Sequence, residues 1–163
     1  MKRIFADFEF NSYKGEVISV GLIKEDGTAL YNVFPPPREQ LDMWVTNNVV
    51  PYLGSVPRGI TCHHRTYRAF QDLLQAFLQE DEGEVCIVTD WPDDVKYFSE
   101  LLITGPGKMI DIPGIAFEVK RVDPYLNPPK GAVQHNAMWD AVALRHCLTG
   151  EVEYRQFQLV LST

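Results

Sequence analysis

Asp7 and Glu9 sit two residues apart inside an otherwise apolar run, Arg3–Phe10, and His135 stands five residues ahead of Asp140. Between these two stretches, Asp90, Asp93 and Asp94 crowd one short segment. Four carboxylates and an imidazole are a set that can hold two divalent ions about 3.5–4 Å apart and activate a water against a phosphodiester. Residues i and i+2 of a strand point to one side with Cα atoms roughly 6.6–7 Å apart, a span over which Asp7 and Glu9 can share such a pair. Acids are poor strand residues, so two of them in a first strand cost stability unless a ligand uses them. A solvated sheet face is the alternative.

The third acid is open among three. Asp90–Phe98 follows the apolar run Val85–Thr89, and ligands of open α/β sheets sit off the carboxyl ends of strands. Asp94 is favoured, because Tyr97 and Phe98 at +3 and +4 would anchor its helix. Asp93 and Asp90 could serve as caps, and all three could simply stabilise a helix N-terminus. Asp140 falls about one turn inside a helix, beside the stripe Ala137–Ala141–Leu144. An unpaired carboxylate near a core is expensive, which favours a metal-ligand role for Asp140. His135 lies just ahead of that helix, on the mobile side of the loop Pro128–Gly131, with a natural pKa suited to a general base; an incidental histidine ahead of a helix is the alternative.

The elements that must position these groups follow from periodicity. Arg3–Phe10 reads as a strand with Ile4, Ala6, Phe8 and Phe10 on one face and Phe5, Asp7 and Glu9 on the other. Glu16–Lys24 and Thr28–Phe34 are further strands joined across Glu25-Asp26-Gly27, where Asp-Gly signals a type I′ hairpin. Glu39–Val50 reads as a helix burying Leu41, Trp44, Val45 and Val49 and closed by Pro51. In Thr66–Glu80 the residues Phe70, Leu73, Leu74, Phe77 and Leu78 fall at helical spacing. Val85–Thr89 is continuous and apolar, as in a strand buried on both faces. Helices follow at Asp93–Leu102 and Asn136–Leu148, with strand pieces in Lys108–Arg121 broken at Pro113-Gly114. Phe157–Leu161 could be an extra strand or a partner-binding segment. A three-strand antiparallel meander followed by alternating helices and strands is an α/β fold with a mixed sheet. The expected organisation is a single domain over 1–163, with its core in 3–148 and a short tail from 150.

With 163 residues, 45% apolar and 23% charged, the composition is that of a soluble globular protein. No apolar run approaches the roughly 20 residues of a membrane span, and Asp7 and Glu9 interrupt the N-terminal apolar stretch too early for a signal peptide. A cytoplasmic protein with no membrane partner is expected. Three cysteines, Cys62, Cys86 and Cys147, without C-x-x-C spacing, read as buried reduced thiols, and Cys62-His63-His64 reads as loop. The net charge of −7 argues against a basic saddle for long duplexes. Two Mg²⁺ ions would remove more than half of that excess, a balance suited to a short substrate.

The order D-x-E at Asp7–Glu9, D-x-x-x-F at Asp94–Phe98 and H-x(4)-D at His135–Asp140 resembles the DEDDh class of 3′→5′ exonucleases in the ribonuclease H-like superfamily. The opening IFADFEFN and the segment MWVTNNVVPYL look most similar to small stand-alone bacterial and phage 3′→5′ exoribonucleases. The resemblance implies a ribonuclease H-like mixed sheet, with Asp7, Glu9, Asp94 and Asp140 as ligands of two Mg²⁺ or Mn²⁺ ions and His135 as base. It implies hydrolysis of RNA or short single strands from the 3′ end, with release of nucleoside 5′-monophosphates, and it extends to a homodimer because members of the class are often dimers. The chain departs from the class in having Phe10-Asn11-Ser12 after the acid pair and Asp90-x-x-Asp93-Asp94 in place of Asn-x-x-Phe-Asp. A non-catalytic nucleic-acid-binding scaffold of the same fold, or a phosphoesterase on small nucleotides, are the competing functions.

Phe8, Tyr13 and Trp91 are the candidate substrate contacts, by stacking on a terminal base. Phe8 faces away from the acid pair, which suits core packing better, and Tyr13, in a loop, is the stronger candidate. Lys14, Lys120, Arg121 and Lys130 could meet phosphates or be plain surface charges.

Overall fold

The computed structural model describes residues 1–80, 82–112 and 114–159. A six-stranded sheet runs through them, formed by β1 (Lys2–Phe10), β2 (Val17–Lys24), β3 (Thr28–Val33), β4 (Val85–Thr89), β7 (Ile115–Val119) and β8 (Arg155–Gln156). Its spatial order is β7-β4-β1-β2-β3-β8. The meander β1-β2-β3 is antiparallel, while β4 runs parallel to β1, β7 to β4 and β8 to β3. Helices α1 (Met43–Asn48), α2 (Tyr67–Gln79), α3 (Pro92–Leu102) and α4 (Ala137–Thr149) connect and cover it, and β5 (Ile103–Gly105) and β6 (Lys108–Met109) form a separate small hairpin. The architecture is mixed α/β, as the alternation of patterns requires.

The central strand alternates as its sequence demands. Ile4, Ala6 and Phe8 join one core, with Phe70, Leu74 and Phe77 of α2 and Phe98 and Leu101 of α3. Phe5 joins the other, with Met138, Ala141 and Val142 of α4. Asp7 and Glu9 continue the Phe5 face beyond the point where apolar packing ends. The pairing of β1 with β2 shifts between Glu9 and Phe10, leaving Ile18 as an extra residue in β2. Ile18 packs with Val45 and Val49, so this bulge docks α1 beside the end of β1.

Several expectations need correction. Between Lys24 and Thr28 the chain has positive φ at Gly27 alone, and Gly27 N–H bonds Lys24 C=O at 3.0 Å. This is a type I turn closed by a left-handed glycine, not type I′. The helix expected over Glu39–Val50 is only six residues long. Asp42 accepts from Trp44 N–H at 2.8 Å and so caps at Met43, while Asn11 holds the preceding strand of loop through Gln40 C=O and Asp42 N–H. Pro51 does not close that helix but opens a 3₁₀ turn, Val50–Tyr52, where its missing N–H is harmless. The tail strand forms at Arg155–Gln156, earlier than Phe157–Leu161, and Phe157 packs edge-to-face on Phe77 at 5.3 Å. Val160 and Leu161 lie outside the described residues. Of the three thiols only Cys86 is buried. Among the described residues no helix is long and apolar enough to cross a membrane.

Helix α4 is buried nearly all round rather than along one stripe. Its outer side includes Arg145, 2% exposed, whose guanidinium donates to Glu25 C=O and Glu153 C=O. Asn136 caps its start by accepting from Met138 and Trp139 N–H, and Gly150, at φ 79°, ends it. The start of α4 rests directly on Gly21, the β2 partner of Asp7. A Cβ at Gly21 would lie 2.2 Å from Ala137 O and 2.5 Å from Met138 Cα. Backbone cannot yield as a side-chain tip can, so Gly21→Ala should destabilise the fold by about 1–3 kcal/mol. Denaturant unfolding measures this, and an unchanged midpoint would contradict the close approach.

Candidate metal centre

Four elements deliver acids to one place. Asp7 and Glu9 come from the end of β1, Asp90 from the residue after β4, Asp94 from the first turn of α3 and Asp140 from the first turn of α4. Two trios result: Asp7, Asp90 and Asp94, and Glu9, His135 and Asp140. Within each trio one ligand atom per residue lies within 4.8 Å of the others. All five residues expected as ligands or base are therefore brought together, and Asp90 joins them. Asp93 does not; its carboxylate accepts from Trp91 Nε1 at 2.8 Å on the surface. Helix α3 has no side-chain cap, so capping accounts for neither Asp93 nor Asp94.

The cluster opens into a cleft of about 300 Å³, lined by Asp7, Asp90, Asp123, Tyr125, His135 and Asp140. A larger hollow of about 610 Å³, between Lys14, Phe34, Tyr67 and Tyr97, lies elsewhere. Glu16, Glu39 and Glu100 line it together with Lys14, Arg38 and Lys96, but among the described residues they do not converge as the two trios do, so chemistry rather than size identifies the candidate site.

Burial pushes the Asp7 carboxyl well above the ordinary range, and the charges of Asp94, Asp140, Glu9 and Asp90 push the same way. Glu9 is raised by burial and then by Asp140. Asp94 is raised by burial and by Asp90, against a smaller opposing pull from the Phe8 backbone. Asp140, also desolvated, is pushed up to about 7 despite hydrogen bonds that favour its charge. Asp94 Oδ2 is buried and, among the described residues, has no hydrogen-bond partner. An orphaned carboxylate oxygen inside an all-oxygen cluster fits a hard divalent cation such as Mg²⁺ or Mn²⁺.

His135 is held more firmly than its position beyond a Pro-rich loop suggests. Its φ of 65° is left-handed, its N–H donates to Asp140 Oδ2 at 3.1 Å, and its ring meets Trp44 edge-to-face at 5.0 Å. Burial lowers its pKa, which keeps a ring nitrogen free to accept a proton at neutral pH.

The aromatic candidates separate. Phe8 is corrected: it is 3% exposed and packs on Tyr97 and Phe98, so it belongs to the core and offers no face to a base. Tyr13 is exposed in the β1–β2 loop, under Lys14 Nζ, and does not line the cleft. Trp91 is half-exposed beside Asp90, with the Arg121 guanidinium 4.5 Å above its ring. Sequence patterns missed Tyr125, whose hydroxyl donates to Asp140 Oδ1, and Trp44. Tyr125 lies in a loop without periodicity and carries no signal, whereas helical periodicity places Trp44 on a buried face and the structure leaves it 52% exposed. No protein-family model matches the chain, and no curated protein matches it.

Unfolded carboxyls titrate near 4, and here the folded values are higher. Stability from these groups is thus fully present below about pH 4 and lost as pH rises through the folded values, for Asp140 around 7. The metal-free protein should melt at a lower temperature at pH 8 than at pH 6, and Asp94→Asn should raise the pH 8 value. Thermal melts in chelator measure both; a melting temperature that climbs between pH 6 and pH 8 would contradict the crowding.

Proposed function

We propose that the protein is a two-metal-dependent 3′→5′ exonuclease acting on RNA or short single strands, with a ribonuclease H-like sheet. The observation that carries this reading is the pair of adjoining acid trios, one with an orphaned buried oxygen and the other containing a histidine. The meander followed by parallel crossovers, with every acid at one end of the sheet, supports the same family. That end is where open α/β sheets bind ligands.

Asp7, Asp90 and Asp94 would hold one ion, and Glu9 and Asp140 the other. Bound ions there would supply Lewis acidity at the scissile phosphate and lower the pKa of the attacking water. His135, neutral and oriented by its tie to Asp140 and by Trp44, takes the proton of that water. The 3′ oxygen of the penultimate nucleotide then leaves, and a nucleoside 5′-monophosphate is released. Trp91 offers a face for a base near Asp90.

An end-labelled single-stranded RNA with Mg²⁺ tests the reading. The wild type should produce a ladder from free, but not blocked, 3′ ends, and Asp7→Ala should abolish it. His135→Ala should lose roughly 10²–10⁴-fold in turnover while keeping Mn²⁺ affinity. Asp94→Asn should lose most activity, and Asp93→Asn very little. A wild type that binds the strand and cuts nothing would point to a scaffold instead.

A further inference from the structure

The two halves of the cluster are not alike. Among the described residues, Asp94 keeps one buried oxygen without a partner, whereas both oxygens of Asp140 are engaged. His135 N–H donates to Oδ2 at 3.1 Å, and the Tyr125 hydroxyl donates to Oδ1. Tyr125 and Asp140 both line the cleft, so the phenol meets the carboxylate on the side from which an ion would arrive.

The phenol is delivered by a defined turn. Asp123 accepts from Tyr125 N–H through its side chain at 3.0 Å and from Leu126 N–H through its carbonyl at 3.3 Å. The segment is tied to the sheet at Lys120, whose N–H bonds Thr89 C=O at 2.7 Å. A phenol is a hydrogen-bond donor at neutral pH. Its proton and a cation therefore compete for the negative charge on Asp140 Oδ1, while among the described residues no donor meets Asp94 Oδ2.

We infer that Tyr125 is a positioning residue that holds Asp140 in the metal-free protein and must release it when the Glu9–Asp140 half takes its ion. The halves then fill in order, with Asp7, Asp90 and Asp94 first. Tyr125 sets the concentration at which the second ion enters, and the complete centre forms only as the 120–134 loop gives up its contact with α4. This inference rests on the two-ion reading above.

Mn²⁺ titration of the whole protein, followed by the electron paramagnetic resonance of free Mn²⁺ near pH 7.5, tests it without any substrate. The wild type should bind in two separable steps. Tyr125→Phe, which removes the donated proton and keeps the ring, should tighten the second step roughly tenfold, about what one hydrogen bond to a charged group is worth. The first step should move by less than about twofold. Tyr125→Leu, checked by a cooperative melt, should tighten the second step likewise, and Asp94→Asn should remove the tight first step. A second step that is unchanged or weakened in Tyr125→Phe overturns the role of the phenol while leaving the two-ion reading intact. A wild type that binds no Mn²⁺ overturns both.

Discussion

Five carboxylates converge where β1 leaves the sheet, and among the described residues none of them has a lysine or arginine within ion-pair distance. Buried or half-buried charge of one sign raises the free energy of the fold unless protons or cations neutralise it. That constraint explains the upward displacement of every acid in the group. The fold tolerates the crowding because the acids stand on rigid elements with large apolar cores on both sides of the sheet. It is the kind of local conflict that a sequence optimised for stability alone would not keep.

The surroundings serve to hold those acids at fixed separations. Gly21 lets α4 lie against the sheet opposite Asp7, and the Asn136 cap fixes where that helix begins. Asn136 also donates to Tyr52 C=O at 2.8 Å, tying α4 to the 3₁₀ turn that follows α1. The extra residue Ile18 and the amide of Asn11 bring α1, and with it Trp44, alongside His135. Each of these contacts is a small effect in stability. Together they fix the position of His135 relative to the acids.

Much of this was legible in the residues. The run Phe70 to Leu78 named its own buried face, Val85–Thr89 was read to the residue, and the alternation in β1 placed Asp7 and Glu9 on one side. What failed did so for identifiable reasons. Asp42 competes for helix N–H groups and Pro51 cannot donate, so the helix around Trp44 is shorter than its periodicity implied, and Trp44 faces solvent and His135 instead of the core. In the candidate site, spacing alone could not choose among Asp90, Asp93 and Asp94. Their separation depends on how Pro92 starts α3, which turns Asp94 inward, leaves Asp93 to Trp91 and keeps Asp90 at the strand end. Tyr125 could not be read at all, because its partner is fifteen residues away across an aperiodic loop.

The buried guanidinium on the outer side of α4 bears on the status of the segment after that helix. Its three donated hydrogen bonds go to two carbonyls, one in the β2–β3 turn and one at Glu153. The stretch 151–157 is therefore a clasp between the last helix and the β2–β3 hairpin, and not an appendage that could be trimmed at the helix end. A shorter chain of this architecture would have to replace that arginine with an apolar residue, or leave a cation facing half of its acceptors lost.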